Sequence, residues 1–126
     1  MVVMRNCRLA LVAASAMVCT ALPASAGRYD GMWSMVAQTT RGHCGVVEIP
    51  FAVSGGRIFS TGGFFAFYPI NMDGRVSGSG QARLVAVSGP RIARGAGRFT
   101  FLRGRGTWAG TGPSGLCSGV WTASRI

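Results

Sequence analysis

Enzymatic chemistry needs groups that titrate, attack or hold a metal, and this 126-residue chain offers few of them. His43 is the sole histidine, and Asp30, Glu48 and Asp73 are the only acids, well separated along the chain. Paired-carboxylate catalysis would need two of those three side by side. A Ser-His-acid triad would have to recruit His43, which stands next to Cys44, and no nucleophile-elbow sequence is present. One histidine, three acids and cysteines outside CxxC spacing do not make a convincing metal set. The expectation is a protein that is not an enzyme and has no resident metal or cofactor. Haem held through His43, Met32 or Met35 stays open only as a cargo. The plainer alternatives are a solvated loop histidine and methionines on a half-buried strand.

The chemistry that can be assigned is redox chemistry, and it depends on where the chain travels. Met1–Arg8 carries Arg5 and Arg8, Leu9–Leu22 is almost unbroken apolar sequence, and Ala24-Ser25-Ala26 is a small-x-small cleavage pattern. That order is the order of a secretory signal. The apolar run is shorter than the roughly 20 residues of a helical membrane span. Cys19 follows Val18, a residue too bulky for lipoprotein processing. The reading is a signal helix over 1–26 removed after Ala26, and a single domain over 27–126 that is secreted or periplasmic and is not an integral membrane protein once processed. Only Cys44 and Cys117 then remain, and a small exported domain with two cysteines joins them. Eleven of the 13 arginines and all three acids lie in 27–126, for a net charge of +8, and there is no lysine.

The elements that must hold these groups read as strands. Short alternating runs lie near 30–40, 46–54, 57–61, 64–76, 81–88, 91–99, 105–111 and 117–125, with Gly-, Pro- or Ser-rich turns between them. Asn71–Gly74 reads as a further turn or a bulge, which leaves eight strands or nine. Glycines recur on single faces: Gly78 with Gly80, Gly95 with Gly97, and Gly104, Gly106 and Gly110 with Trp108. Glycine within a strand marks a close approach by something bulky, here Trp33, Trp108, Trp121 and the phenylalanines. Cys44 follows the first strand and Cys117 opens the last, and a bond between them requires those strands to be neighbours. The fold class expected is all-β: a small antiparallel up-and-down barrel of about eight strands, closed by one disulfide.

The run ARGAGRFTFLRGRGTW, Ala93–Trp108, interleaves arginine, glycine and aromatics as RNA-binding Arg-Gly segments do. Its parity argues otherwise. Arg94 and Arg98 share one face while Ala93, Gly95, Gly97 and Phe99 share the other; Arg103 and Arg105 oppose Gly104, Gly106 and Trp108. Strand alternation would send those arginines to solvent, giving a hairpin with basic outer rows and no nucleic-acid partner. Such rows attract anions, less strongly as salt rises.

With Asp30-Gly31-Met32-Trp33, Cys44 and the Cys117–Arg125 run CSGVWTASR in view, the chain from Gly27 onward resembles a family of small exported alphaproteobacterial proteins. Their shared pattern is DGxW, one cysteine after the first strand, glycine-alternating strands and CSGxWxAxR at the end. More distantly, the two ends are similar to the calycin barrels, lipocalins and avidins, in which a GxW on the first strand lies under an arginine from the last. Gly31, Trp33 and Arg125 match by type and placement. Counted from the cysteine pair, however, Trp33 faces a position about three residues beyond Arg125. Such resemblance implies a barrel and transfers no ligand.

The function expected is that of a non-enzymatic binding or surface-interaction module, contacting anionic envelope polymers or lipid head groups through Arg91, Arg94, Arg98, Arg103 and Arg105. The alternative is a carrier of a small apolar ligand, haem among the candidates, held near Trp33, Trp108 and Trp121. A third class, an inhibitor of an exported enzyme, has no marker in the sequence. A cavity inside the barrel would favour the carrier, and a packed interior would move attention to the outside.

Overall fold

The computed structural model describes residues 27–126; the segment read as a signal helix lies outside the described residues. Ten strands follow in order: β1 (Gly31–Arg41), β2 (Val46–Ser54), β3 (Arg57–Ser60), β4 (Phe64–Phe65), β5 (Tyr68–Pro69), β6 (Asn71–Val76), β7 (Gln81–Ser88), β8 (Arg91–Phe99), β9 (Arg103–Gly112) and β10 (Gly115–Arg125). Eight of them close a barrel in the order β1-β10-β9-β8-β7-β6-β3-β2, each pair antiparallel, while β4 and β5 form a separate two-stranded hairpin.

Period-two patterning explains why these segments are strands. On β10, Cys117, Gly119, Trp121 and Ala123 are buried while Val120, Thr122 and Ser124 face solvent. On β1, Trp33, Met35 and Ala37 point inward and Met32 outward. Alternation of this kind builds a wall with one dry face and one wet face. The inward glycines serve close approach. A Cβ on Gly97 would stand 2.5 Å from Cζ2 of Trp121, and one on Gly106 2.7 Å from its Cε2. The indole therefore lies flat against bare backbone of β8 and β9, and any larger residue there would have to displace it.

Closure occurs at the seam between β1 and β10, where Trp33 pairs with Arg125 and Thr39 with Gly119. Cys44 and Cys117 are bonded at one end of that seam, with Cα atoms 6.2 Å apart. The cysteines are nonetheless poor markers of register. Cys44 lies past the end of β1, in the turn to β2, and folds back toward β10, and a bulge between Thr39 and Arg41 adds a residue. Together these account for the three-residue offset expected from sequence: Trp33 faces Arg125 itself.

A second correction concerns 64–76. The segment read as one strand with a turn at Asn71–Gly74 is instead the β4–β5 hairpin followed by β6, and Asn71–Gly74 lies within β6. Gly78 and Gly80 likewise sit in the β6–β7 turn rather than on a strand face.

Candidate functional site

Up-and-down topology gives the barrel two ends, and the residues fill them differently. At one end lie the chain start, the β2–β3, β6–β7 and β8–β9 turns and the C-terminus. Inside it Trp33, Phe51, Phe99 and Trp121 form a contiguous aromatic cluster. Trp33 and Phe51 stack with centroids 6.1 Å apart, and Phe99 meets Trp33 edge-on at 5.0 Å. Pairs of this kind contribute about 0.5–1.5 kcal/mol each beyond the area they bury. The Trp33 indole donates to the carbonyl of Tyr29 at 2.9 Å.

Arg125 seals this end. Its guanidinium lies between the rings of Trp33 and Phe101, 4.6 Å from each centroid. Its Nε donates to the carbonyl of Phe101 at 2.9 Å, and its two terminal nitrogens donate to the carbonyls of Asp30 and Arg28, at 2.5 and 3.0 Å. One side chain thus ties the C-terminal strand, the β8–β9 turn and the chain start together. Asp30 extends the seal: its carboxylate accepts from the Gly55 N–H at 2.9 Å. The aromatic cluster fills the barrel interior at this end.

The other end is open. The large rings give way along the same strands: Trp33 is followed by Met35, Ala37 and Thr39 on β1, and Phe99 gives way to Gly97, Gly95 and Ala93 on β8. The space released is an apolar cavity of about 120 Å³ opening at this end. Met35, Ala37, Ile49, Met72, Leu84 and Ala86 form much of its wall, Trp108 one side, and Trp121 its floor, with the disulfide at the rim. Two of its lining residues each carry a buried side-chain atom without a partner, Thr39 Oγ1 and Trp121 Nε1. A buried donor left unpaired costs about 1–3 kcal/mol. The Trp108 indole by contrast donates to the carbonyl of Gln38 at 3.2 Å.

The β4–β5 hairpin stands at this mouth. Ser88, buried, shares its hydroxyl proton between the carbonyls of Phe65 and Tyr68, 3.1 Å from each. Phe65 borders the cavity and carries the Arg91 guanidinium 5.3 Å from its ring centroid. Pairing of Phe65 with Tyr68 makes a two-residue turn of Ala66 and Phe67, at φ +51° and +73°. Glycine, asparagine or aspartate normally occupies such a turn, and other residues held there cost on the order of 1–3 kcal/mol each.

The expected site residues are therefore dispersed. Trp108 and Trp121 line the cavity, and Trp33 belongs to the sealed end. Of the five arginines, Arg91 is at the mouth, Arg94 on the outer wall and Arg103 near the sealed end, while Arg98 and Arg105 pair directly across β8 and β9. The hairpin expected from parity is present, with Arg94, Arg98, Arg103 and Arg105 exposed. Arg98 and Arg105 share a shallow outer groove with Arg75 and Arg83, themselves directly opposite across β6 and β7. Arg57 also faces Arg75. Like charges directly opposite destabilise a sheet, and the ion pair Arg57–Asp73, 4.0 Å and exposed, offsets little of that. Arg57, Arg75 and Arg83 lie outside the Ala93–Trp108 run in which parity was read, and the β3–β6 and β6–β7 pairings set them beside one another.

Asp30, Glu48, Asp73 and His43 do not line the cavity, and no group of three or more His, Cys, Asp or Glu side chains capable of holding a metal occurs among the described residues. Met35 borders the cavity but Met32 faces out. Sites for drug-sized molecules span about 300–1,000 Å³, so the haem macrocycle does not fit here. No helix among the described residues is long and apolar enough to cross a membrane. No protein-family model matches the chain, and no curated protein matches its sequence.

Proposed function

We propose that this protein is a non-enzymatic, exported binding protein that takes a small apolar ligand into the open half of its barrel. What supports the reading above all is the cavity itself, apolar, open at the mouth and bordered by Trp121. The ligand class is a single ring or a short chain, because a cavity of about 150 Å³ lined by aliphatic and aromatic groups takes up benzene. Phenol is the probe: titrated into ¹⁵N-labelled protein, it is expected to shift the Trp121 indole resonance. Ala86→Leu should fill the cavity, raise stability by about 0.5–2 kcal/mol and abolish the shift. A Trp121 resonance indifferent to phenol, or an equal response in Ala86→Leu, would remove the carrier reading.

A second reading, an anionic envelope polymer on the outer wall, is favoured by the facing arginines Arg75–Arg83 and Arg98–Arg105. A bound polyanion would convert their repulsion into attraction. Retention on heparin at about 0.15 M salt, lost in Arg75→Gln/Arg83→Gln, supports it; elution of both proteins at low salt reduces the charge to a solubility device.

A further inference from the structure

The turn between β4 and β5 raises a question that the fold does not answer. A two-residue hairpin turn with both central residues at positive φ is most easily made by Asn-Gly or Asp-Gly, yet Ala66 and Phe67 occupy it. Phe67 is 99% exposed and Phe64 70% exposed, so neither ring packs on the barrel. A strained turn that presents phenylalanine to water is not explained by stability; an outlier of this kind points to use outside the fold.

The surroundings indicate what that use is. Leu116, 77% exposed at the start of β10, and Val46, 62% exposed at the start of β2, project from the same end of the barrel as Phe64, Phe67 and Tyr68. Arg41 and Arg91 stand at that end, where β1 stops and β8 begins. Glu48, on the outer wall two residues into β2, is the nearest acid in sequence to this rim; Asp73 is mid-wall with Arg57, and Asp30 is at the sealed end. The rim is thus apolar at its tips and basic behind them. Its apolar side chains come from three separate stretches, the β4–β5 hairpin and the starts of β2 and β10. A lipid surface receives them wherever they fall. Aromatic rings favour the membrane–water interface, and cations near it are drawn to anionic head groups.

We infer that the open end of the barrel docks on an anionic phospholipid bilayer, with Phe64 and Phe67 inserted and Arg41 and Arg91 against the head groups. This rests on the carrier reading in one respect: docking would hold the cavity mouth at the apolar phase from which a ligand enters. The wall arginines Arg75 and Arg83 take no part in it.

The test is co-sedimentation with vesicles of phosphatidylcholine alone and of phosphatidylcholine mixed with phosphatidylglycerol. The chain is expressed with its own residues 1–26 in an exporting host and recovered oxidised. The parent should bind the mixed vesicles about tenfold more tightly than the neutral ones, a difference of about 1.4 kcal/mol. Phe64→Ser/Phe67→Ser should weaken that binding by about tenfold or more; both rings are exposed, and unchanged near-ultraviolet circular dichroism confirms the fold. Arg41→Gln/Arg91→Gln should abolish the preference for phosphatidylglycerol, and Arg75→Gln/Arg83→Gln should bind as the parent does. Equal binding by the parent and the phenylalanine variant overturns docking by the mouth, as does absence of binding to either vesicle. A lipid-free dimer that the phenylalanine variant dissolves, without vesicle binding, would assign the rim to a second copy of this chain and overturn the inference. Phenol uptake, measured on the same samples without lipid, separates the two ideas: uptake without vesicle binding leaves the carrier standing and removes the docking.

Discussion

The two ends of this barrel are built from the same strands, in the same alternation, with opposite results. Toward the sealed end the inward positions carry Trp33, Phe51, Ile58 and Phe99, and bare glycine backbone on β9 admits the rings. Toward the mouth they carry Ala37, Val47, Ala86 and Ala93, with Trp108 and Phe65 as the large rings bordering the space they leave. A barrel of eight strands has an interior just wide enough for side chains to fill or for one small ligand. Which of the two occurs is set by side-chain volume, strand by strand. The lesson is that a single small barrel can contain both a core and a site, divided by one residue: Trp121 packs Phe99 on one side and borders the cavity on the other.

Substitutions at the two ends should break that contrast unequally. Phe99→Ala removes the ring that touches Tyr29, Trp33, Phe51 and Trp121 at once, and is expected to cost about 3–5 kcal/mol by denaturant unfolding; a cost below 1 kcal/mol would mean that the sealed end is not a tight core. Reduction of Cys44–Cys117 acts at the other end and through the unfolded chain, which gains a long loop's freedom. The expected loss is about 4 kcal/mol on the chain-entropy estimate, seen as a lower midpoint in reductant, with the phenol response of Trp121 retained wherever the protein stays folded. Arg125→Met keeps a stem over Trp33 but orphans the carbonyls of Asp30, Arg28 and Phe101. Hydrogen bonds to charged groups contribute about 1.5–3 kcal/mol each when well buried, and these are partly exposed, so a loss of about 2 kcal/mol is expected, with amide exchange accelerated at the chain start and the β8–β9 turn and unchanged at the mouth. Thr39→Val is the smallest and has the opposite sign. It removes a buried hydroxyl without a partner and should stabilise the protein by about 1 kcal/mol. A loss instead would show that the hydroxyl is satisfied and that the cavity wall is not strained there.

Much of the fold could be read from residue parity. Cys117, Gly119, Trp121 and Ala123 fall on one face by counting alone, and two cysteines at the first and last strands demand that those strands meet; the bond and the closed barrel are both present. The β4–β5 hairpin was not legible, because its turn residues, Ala66 and Phe67, are among the least expected at positive φ, and the run FFAFYP reads as one strand. The exact facing of Trp33 and Arg125 was misjudged from the cysteines for a related reason: a turn residue can reach back to a strand that it does not belong to. The candidate site was legible only in part. Trp108 and Trp121 could be singled out by their glycine companions, but nothing in one dimension separates them from Trp33, which is equally apolar and equally flanked.

Composition and alternation by themselves determined that this chain makes strands, that its glycines admit large rings, and that its arginines face water between Ala93 and Trp108. These are properties of each residue and its next-but-one neighbours, and period two carries them. Tertiary structure alone decided which inward residues share a layer. The register at the closing seam places Trp33 against Arg125, that of β1 with β2 sets Trp33 beside Phe51, and that of β6 with β7 sets Arg75 against Arg83, while Ala37 and Ala86 come to line one cavity. The physical reason is that a cavity, a plug or a charged groove is a sum of side-chain volumes and charges across several strands, and the registers of a closed barrel fix which terms enter that sum.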